Sequence, residues 1–260
     1  MQLHDVNPAI KAFAVIVSVF LLSLVYDPVT PLLFWLSICA VTLFSGSIRI
    51  KKWLLYFLPF LVVALGYVWT TAVFSKPPDG PGQGVLISLG PVTVTEHGLS
   101  TGLALGLRVM CFAGLSLLFV LTTDPVAFIL SLVQQCKLPP KLAYGLLAGY
   151  RFLPLLQEEV QTLRHAHKVR GAYRRKGWKG RLASLKRYAI PLLASAIRKA
   201  ERAAIAMESK GFTGARDRTY YRRFEVRGRD WLFAGLIIGL LVLSVFVSSQ
   251  LGAFRWYGDL

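Results

Sequence analysis

The sequence has few acidic residues and few side chains that could hold a metal ion. Only 13 Asp and Glu stand against 30 Lys and Arg, so the formal net charge is +17. The cysteines Cys39, Cys111 and Cys136 are scattered, with neither metal-ligand spacing nor a disulfide pattern. His165 and His167 are two residues apart, a spacing that points them in different directions on a helix. We therefore expect no metal site and no cofactor.

The sequence also lacks the motifs of the enzymes that it could be compared with. It contains no Walker-type glycine loop, so we do not expect this chain to hydrolyse ATP itself. Glu158-Glu159 followed by Arg164 is similar to the paired-glutamate motif of prenyl-protein proteases, but the spacing is one residue too long. No histidine lies in an apolar segment to complete such a metal site. The sequence therefore predicts a non-catalytic protein.

Apolar residues dominate the composition, and the charge is separated from them. Hydrophobic residues make up 55% of the chain and the mean hydropathy is +0.54, which is too apolar for an ordinary soluble domain. About two-thirds of the Lys and Arg lie between residues 160 and 230. A basic block beside membrane spans marks the cytoplasmic side of a membrane protein.

Five apolar segments predict helices that cross a bilayer, and a small hairpin or extended loop is expected over 85–95. The segments are 12–26, which we read as a retained span rather than a cleavable signal peptide, 32–44, 53–73, 99–121 and 231–247. With the N-terminus inside, every Lys- and Arg-rich stretch falls in the cytoplasm. We expect an all-α polytopic membrane protein with about five transmembrane helices plus a cytoplasmic helical domain. The expected domains are 1–122, 123–230 and 231–260.

The basic region between the fourth and fifth predicted spans, residues 123–230, is predicted to be a series of helices separated by prolines and glycines. Thr123-Asp124-Pro125 predicts an N-cap followed by a helix from Val126 to Cys136. Further helices are expected over 141–157, 158–170 and 191–210, with a basic connector over 173–186. On the last of these helices an apolar stripe predicts packing on one side; it contains Ile190, Leu193, Ala194, Ile197, Ala200, Ala204 and Met207.

Two features of the fourth span stand out. Arg108 lies inside it, where an ionisable residue is costly and is either functional or a structural residue bonded to carbonyl groups. Gly102, Ala104 and Gly106 form a face of small residues that permits close packing against another helix.

Two short phrases in this basic region place a cation directly before a glycine at an expected helix end. They are Val169-Arg170-Gly171 and Ser209-Lys210-Gly211. Cations in a last turn and glycine just after it are common on stability grounds alone. Two such ends in one basic region also fit a second interpretation, in which the two cations dock on a partner protein.

Together with other phrases, these residues resemble the transmembrane T component of energy-coupling factor (ECF) transporters, a branch of the ABC importers. The phrases are Leu3-His4-Asp5, Asn7-Pro8 and Lys11, Glu96-His97-Gly98-Leu99 with Arg108, Thr123-Asp124-Pro125, Leu138-Pro139-Pro140, Tyr150-Arg151-Phe152-Leu153-Pro154, and the two cation-glycine phrases. The resemblance covers almost the whole chain.

The resemblance implies two coupling helices that end in Ala-Arg-Gly. It implies that those arginines enter grooves of two ABC ATPase subunits, while the membrane part holds a separate substrate-binding S component. As the mechanism, we expect the small-residue face of the membrane part to let the bound S component reorient. This chain keeps the first arginine, with Val169 in place of alanine, and has Ser209-Lys210 in place of the second Ala-Arg. Arginine makes bidentate bonds to carboxylates, whereas lysine is a point charge, so the second contact is expected to differ.

The resemblance also implies a multi-pass protein of a bacterial or archaeal cell membrane, with no nucleic acid as partner. The solute, a vitamin-like molecule or a metal ion, belongs to the S component. The Val6-Asn7-Pro8 phrase and the 26–31 turn look most like those of thiamine systems. The alternative is a membrane-anchored basic module binding nucleic acid or anionic lipid, in which the cations of 176–187 with Trp178 and Tyr188 contact phosphates.

Overall fold

The chain forms eight helices and one small hairpin in the computed structural model, which describes residues 6–44, 50–74, 85–89, 92–170, 178–215 and 219–252. The elements are α1 (Pro8–Ser23), α2 (Val29–Phe44), α3 (Ile50–Phe74), β1 (Val85–Leu89), β2 (Val92–Thr95), α4 (Glu96–Thr122), α5 (Pro125–Gln135), α6 (Pro140–Val169), α7 (Trp178–Ser209) and α8 (Gly228–Gln250). The predicted helical fold class is confirmed. The strands pair antiparallel, with Leu89 opposite Val92, so the hairpin is confirmed as well.

The chain divides into two compact units. Residues 1–128 and 224–260 form the first, which we call the bundle, and residues 129–223 form the second, which we call the insert. The functional boundaries expected after residues 122 and 230 stay predictions.

Three helices are long and apolar enough to cross a membrane, judged by length and composition. They are Trp53–Phe74, Gly98–Thr122 and Gly228–Gln250. The first two predicted spans are also helices, α1 and α2, but each has 16 residues. That is shorter than the ~20 residues that a hydrocarbon core requires. The count of five spans therefore stays a prediction.

Local sequence signals explain where α1, α2 and α5 begin. The Asn7 side chain accepts a hydrogen bond from the backbone N–H of Ala9 at 3.1 Å and caps α1, whose first residue is Pro8. Asp27 caps α2 by accepting from the backbone N–H of Thr30 at 2.8 Å. Asp124 accepts from the backbone N–H of Ala127 at 3.0 Å, which confirms the predicted cap of α5. In each case a short polar side chain satisfies a backbone donor that the first helical turn leaves unpaired.

The apolar core lies in the bundle, where α4 packs on α1, α2 and α3, and α8 packs on α1 and α2. Its buried members come from α1, α2, α4, α8 and the segment just before α1: Val6, Ala14, Leu22, Phe34, Ile38, Cys111, Leu115, Leu118, Phe233, Ala234, Ile237 and Leu241. The helices thus share one core although α8 is far from the others in sequence.

The small residues of α4 are used for contact with α3. A Cβ atom built on Gly106 would lie 2.8 Å from Val68 Cγ2 and 3.0 Å from the Ala64 carbonyl oxygen. A Cβ atom on Gly102 would lie 3.0 Å from the Val68 carbonyl oxygen. The predicted close helix packing is therefore found, but its partner is this chain's own α3. This contact with α3 corrects the expectation that the small-residue face lets a bound S component reorient.

Buried polar contacts show which helix ends of the bundle lie together. The backbone N–H of Asn7, at the start of α1, donates to Asp230 Oδ1 at the start of α8 at 2.9 Å. The buried Lys11 Nζ donates to the carbonyl oxygen of Thr122, the last residue of α4, at 3.1 Å. The N-terminal ends of α1 and α8 and the C-terminal end of α4 therefore lie at the same end of the bundle.

The insert differs from the predicted helix boundaries in two places. The helices expected over 141–157 and 158–170 are one helix, α6, which continues through Pro154. The helix expected from Pro191 begins at Trp178 and contains Pro191 in its interior, so most of the expected basic connector is helical. A proline inside a helix removes one backbone hydrogen bond and clashes with the preceding turn. In both helices the residues on either side of the proline remain helical in spite of that cost.

Candidate docking site

Lys210 lies at the end of α7, where a glycine terminates the helix. Gly211 has φ of +80°, a conformation that glycine adopts without the steric cost of a Cβ atom. Its backbone N–H donates to the carbonyl of Glu208 at 2.9 Å, and the N–H of Phe212 donates to the carbonyl of Met207 at 3.0 Å. This pair of bonds is the Schellman motif, which satisfies carbonyl groups of the last turn. The motif fixes the backbone at Lys210, which is exposed.

Arg170 caps the end of α6 in a similar position. Its backbone N–H donates to the carbonyl oxygen of Ala166 at 3.1 Å, and its side chain is exposed. Val169 directly before it is 88% exposed, which is high for an apolar side chain. Gly171 lies outside the described residues. Both predicted cations are therefore at helix ends, and neither has an ion pair with another described residue.

An open cavity of about 900 Å³ adjoins the Lys210 end. It is formed by the end of α7, the segment after it and one residue of α6: Tyr144, Met207, Lys210, Gly211, Phe212, Thr213, Gly214, Ala215 and Thr219. The rings of Tyr144 and Phe212 meet edge to face, with centroids 5.3 Å apart. The segment after α7 thus folds back onto the start of α6.

Helices α6 and α7 run antiparallel, because contacts join the start of each to the end of the other. Tyr144 near the start of α6 meets Phe212 just after α7, and His167 near the end of α6 meets Tyr188 at 5.3 Å between ring centroids. The Arg170 and Lys210 ends therefore lie at opposite ends of one helix pair.

The middle of this pair is joined by a carboxylate. Glu159 of α6 accepts a hydrogen bond from Lys199 Nζ at 2.5 Å, and its two oxygens lie 2.8 and 3.0 Å from Ser195 Oγ. The hydrogen bond from Lys199, and then that from Ser195, lowers the pKa of Glu159 below its usual range. The Glu159 and Lys199 side chains are about a quarter exposed. No local pattern in the sequence indicated this contact, because its members are 36 and 40 residues apart.

The contact lies at equal distance from the two helix ends. Eleven residues separate Glu159 from Arg170, and eleven separate Lys199 from Lys210. At ~1.5 Å per helical residue each arm is about 16 Å long, so the two cations are roughly 30 Å apart along the pair.

The predicted packed face of α7 is wrong for most of its members. Ile190, Leu193 and Ile197 are 72%, 63% and 50% exposed. The face that lies against α6 instead carries Ser195 and Lys199 with other residues at helical spacing. Periodicity finds the apolar stripe but does not show whether it is covered by the same chain or by another molecule.

Arg108 lies in the bundle and therefore apart from the two cations of the insert. Its side chain is 8% exposed, donates through Nη2 to the Val25 carbonyl oxygen, and lies 4.5 Å above the Tyr26 ring. These contacts are those of the structural alternative, an arginine that faces the helices and binds a carbonyl group. The described residues hold no group of histidines, cysteines or carboxylates suited to a metal ion.

Comparison with known proteins identifies what the chain is similar to. The family model for CbiQ, described as cobalt transport protein, matches residues 2–221. A protein of Listeria innocua named energy-coupling factor transporter transmembrane protein EcfT is 30% identical over 256 residues, covering 93% of this chain and 91% of the relative. Proteins of the same name from Lactococcus lactis and Bacillus subtilis are 26% and 32% identical, over 94% and 64% of this chain and 91% and 63% of the relatives.

Proposed function

Since this chain belongs to the CbiQ family of transport proteins, we propose that it is the transmembrane coupling subunit of an ECF-type importer. In this role it links ATP hydrolysis by two partner ATPase subunits to solute uptake through a membrane-embedded S component. The chain itself performs no chemistry. The relatives that carry the name energy-coupling factor transporter transmembrane protein support this assignment.

The single observation that carries the proposal is the placement of the two cations. Arg170 and Lys210 are exposed, each at the end of a helix, and the helices run antiparallel so that the ends point apart. A separation of roughly 30 Å suits two docking grooves on two subunits rather than one groove on a single subunit. Arg170 makes a bidentate bond with a carboxylate in its groove, and the exposed Val169 adds an apolar contact beside it.

The polar contacts of the bundle support a cytoplasmic location for the insert. The chain leaves the bundle within α5, shortly after α4, and returns to it before α8. The end of α4 and the start of α8 lie together with the start of α1. The insert therefore begins and ends on one side of the membrane. The excess of Lys and Arg in the insert supports the proposal that this side is the cytoplasm, where the ATPases lie.

The exposed apolar stripe on α7 supports a contact with the S component. Ile190, Leu193 and Ile197 are exposed along one helix face, where no described residue of this chain covers them. An apolar face of this kind is typical of a protein interface. ATP binding closes the ATPase dimer and shifts its grooves, the two cations transmit that shift to the insert, and the S component reorients and releases its solute.

The test is the double charge reversal Arg170→Glu with Lys210→Glu in the full-length chain, co-expressed with its ATPase subunits and S component. We expect loss of ATPase co-purification and of solute uptake, because like charges at a docking contact cost several kcal/mol. The solute is identified from the mass of the S component that co-purifies.

The matched control is Arg164→Glu with Arg202→Glu, which changes the charge equally on exposed positions of the same two helices. We expect this control to keep both assembly and uptake. If the reversal at Arg170 and Lys210 leaves assembly and uptake unchanged, the proposed coupling role is wrong. If an isolated insert binds DNA in a salt-sensitive manner and the full chain binds no ATPase, the nucleic-acid alternative takes its place.

A further inference from the structure

The contact between Glu159, Ser195 and Lys199 has a position that stability alone does not explain. It lies at the midpoint of the helix pair, eleven residues from each cation. One carboxylate accepts from two side chains of α7, one turn apart, so it restrains both the separation and the rotation of that helix. Such a contact is suited to fixing the position of α6 relative to α7.

A proline precedes this contact in each helix. Pro154 lies five residues before Glu159 in α6, and Pro191 lies four residues before Ser195 in α7. Proline lacks a backbone N–H and removes one bond of the helical ladder, so a helix bends most readily there. Each arm therefore consists, in order, of a bending point, the shared contact and a cation-bearing end.

We propose that Glu159, Ser195 and Lys199 form a clamp that makes the two cation-bearing ends move as one body. The clamp lies beyond both bending points, so a displacement of one end changes the tilt of its arm and is passed to the other arm at the midpoint. Because the arms are equal in length, equal displacements by two like subunits act on the clamp symmetrically. These three are positioning residues. The inference deepens the proposed function, on which its consequence for transport rests.

The first experiment measures the distance between the two ends in the full-length chain without partners. Spin labels are attached at Lys168 and Ser209, both exposed, after Cys39, Cys111 and Cys136 have been replaced. We expect a narrow distance distribution near 30 Å, which follows from a rise of ~1.5 Å per residue. Glu159→Gln and Lys199→Met are expected to broaden it to at least twice its width.

Two further variants separate the clamp from a general loss of structure. The exchange Glu159→Lys with Lys199→Glu restores an ion pair at the same place and is expected to recover the narrow distribution. Glu158→Gln makes the same change of charge one residue away, on an exposed side chain, and is expected to have no effect. A distribution that Glu159→Gln leaves unchanged, or that Glu158→Gln broadens equally, overturns the clamp.

The second experiment measures transport by the assembled complex. We expect Glu159→Gln to keep ATPase binding and ATP hydrolysis but to lower the solute taken up per ATP by about fivefold or more, the lower range of typical coupling energies. Unchanged uptake per ATP overturns the role of the clamp in coupling. Failure of the proposed function would instead show as normal ATPase assembly in the Arg170 and Lys210 reversal, so the two failures are distinguishable.

Discussion

The bundle and the insert differ in the burial of their charged side chains and in whether they contribute to an apolar core. In the bundle, Lys11 and Asp27 are 1% and 0% exposed, while Ile16 and Trp69 are 66% and 70% exposed. Among the insert's residues whose burial the structure describes, the charged side chains are largely exposed. The bundle has an interior of apolar side chains joined at its ends by polar contacts. The described part of the insert contributes nothing to that core cluster and is joined by one ion pair.

This difference indicates which forces hold each unit. A membrane supplies no hydrophobic force between helices, so the bundle depends on close packing and satisfied polar groups. The insert has helix caps and a few side-chain contacts, and it exposes apolar residues that a partner would cover. Changes inside the bundle should therefore affect stability most, and changes in the insert should mainly affect geometry and assembly. The predictions below test that contrast in order of expected effect.

The largest effect is expected for Lys11→Glu in the bundle. Lys11 is buried and its Nζ donates to the Thr122 carbonyl oxygen at the C-terminal end of α4. A carboxylate there would face that carbonyl oxygen in a buried position, at a cost of about 3–5 kcal/mol. Thermal unfolding of the full-length protein in detergent measures the loss. The control is Lys51→Glu, which changes the charge at an exposed position. An equal loss of stability in this control would show that the burial of Lys11 does not cause the effect.

A smaller effect is expected where α4 approaches α3. Gly106→Ala would place a methyl group 2.8 Å from Val68 Cγ2 and 3.0 Å from the Ala64 carbonyl oxygen. Forcing the helices apart should lower the free energy of unfolding by about 1–3 kcal/mol. Gly239→Ala in α8 meets no atom within 4 Å and should instead raise it by up to ~1 kcal/mol through helix propensity. If both variants have the same melting temperature, close packing at Gly106 does not stabilise the contact between α3 and α4.

These two variants also mark what the sequence could and could not predict. The helices of the bundle, the cap at Asp124 and the ends of α6 and α7 follow from local signals, and all are found. The burial of Lys11 does not follow from them, since a lysine near the start of a span is expected at the membrane surface. Its position depends on the end of α4, which is 111 residues away.

The insert shows the same limit in its helices. A helix boundary is expected between residues 157 and 158, yet α6 runs unbroken from Pro140 to Val169. It also continues through Pro154, although a proline inside a helix costs about 3 kcal/mol. The stripe containing Ile190 predicts a helix packed on one side, yet most members of the stripe are exposed. Periodicity along one segment contains no information on long-range partners. Arg170 and Lys210 were found from local phrases, but the contact of Glu159 with Lys199 was not.

A modest effect is expected for Gly211→Ala at the end of α7. The φ of +80° costs a residue with a Cβ atom about 1–2 kcal/mol, although no atom lies within 4 Å of the added methyl group. The cost should appear as faster hydrogen exchange in the last turn of α7, with the melting of the bundle unchanged. Gly145→Ala, inside α6 and equally open, is the control and should slow exchange slightly. Slower exchange in Gly211→Ala would show that a side chain at this φ causes no strain.

The smallest effect is expected from pH, through Glu159 in the insert. Hydrogen bonds from Lys199 and Ser195 lower its pKa in the folded chain below the ~4.3 of a free glutamate. A lowered pKa means that the contact stabilises the helix pair fully above the pKa of the unfolded chain. That contribution is lost as pH falls through the lower pKa of the folded chain.

The distance between spin labels at Lys168 and Ser209 should therefore stay narrow from pH 7 down to about 5, and broaden only below the usual range of a glutamate. Glu159→Gln has no proton to gain at this position, so its distribution should be broad at every pH in the series. The effect on the free energy of unfolding is small because the carboxylate is partly exposed, and water and salt weaken an exposed ion pair. If the parent and Glu159→Gln respond to pH in the same way, another group controls the geometry of the helix pair. Contacts other than this ion pair would then hold the insert together. The contrast with the bundle, which has an apolar core, would be weaker.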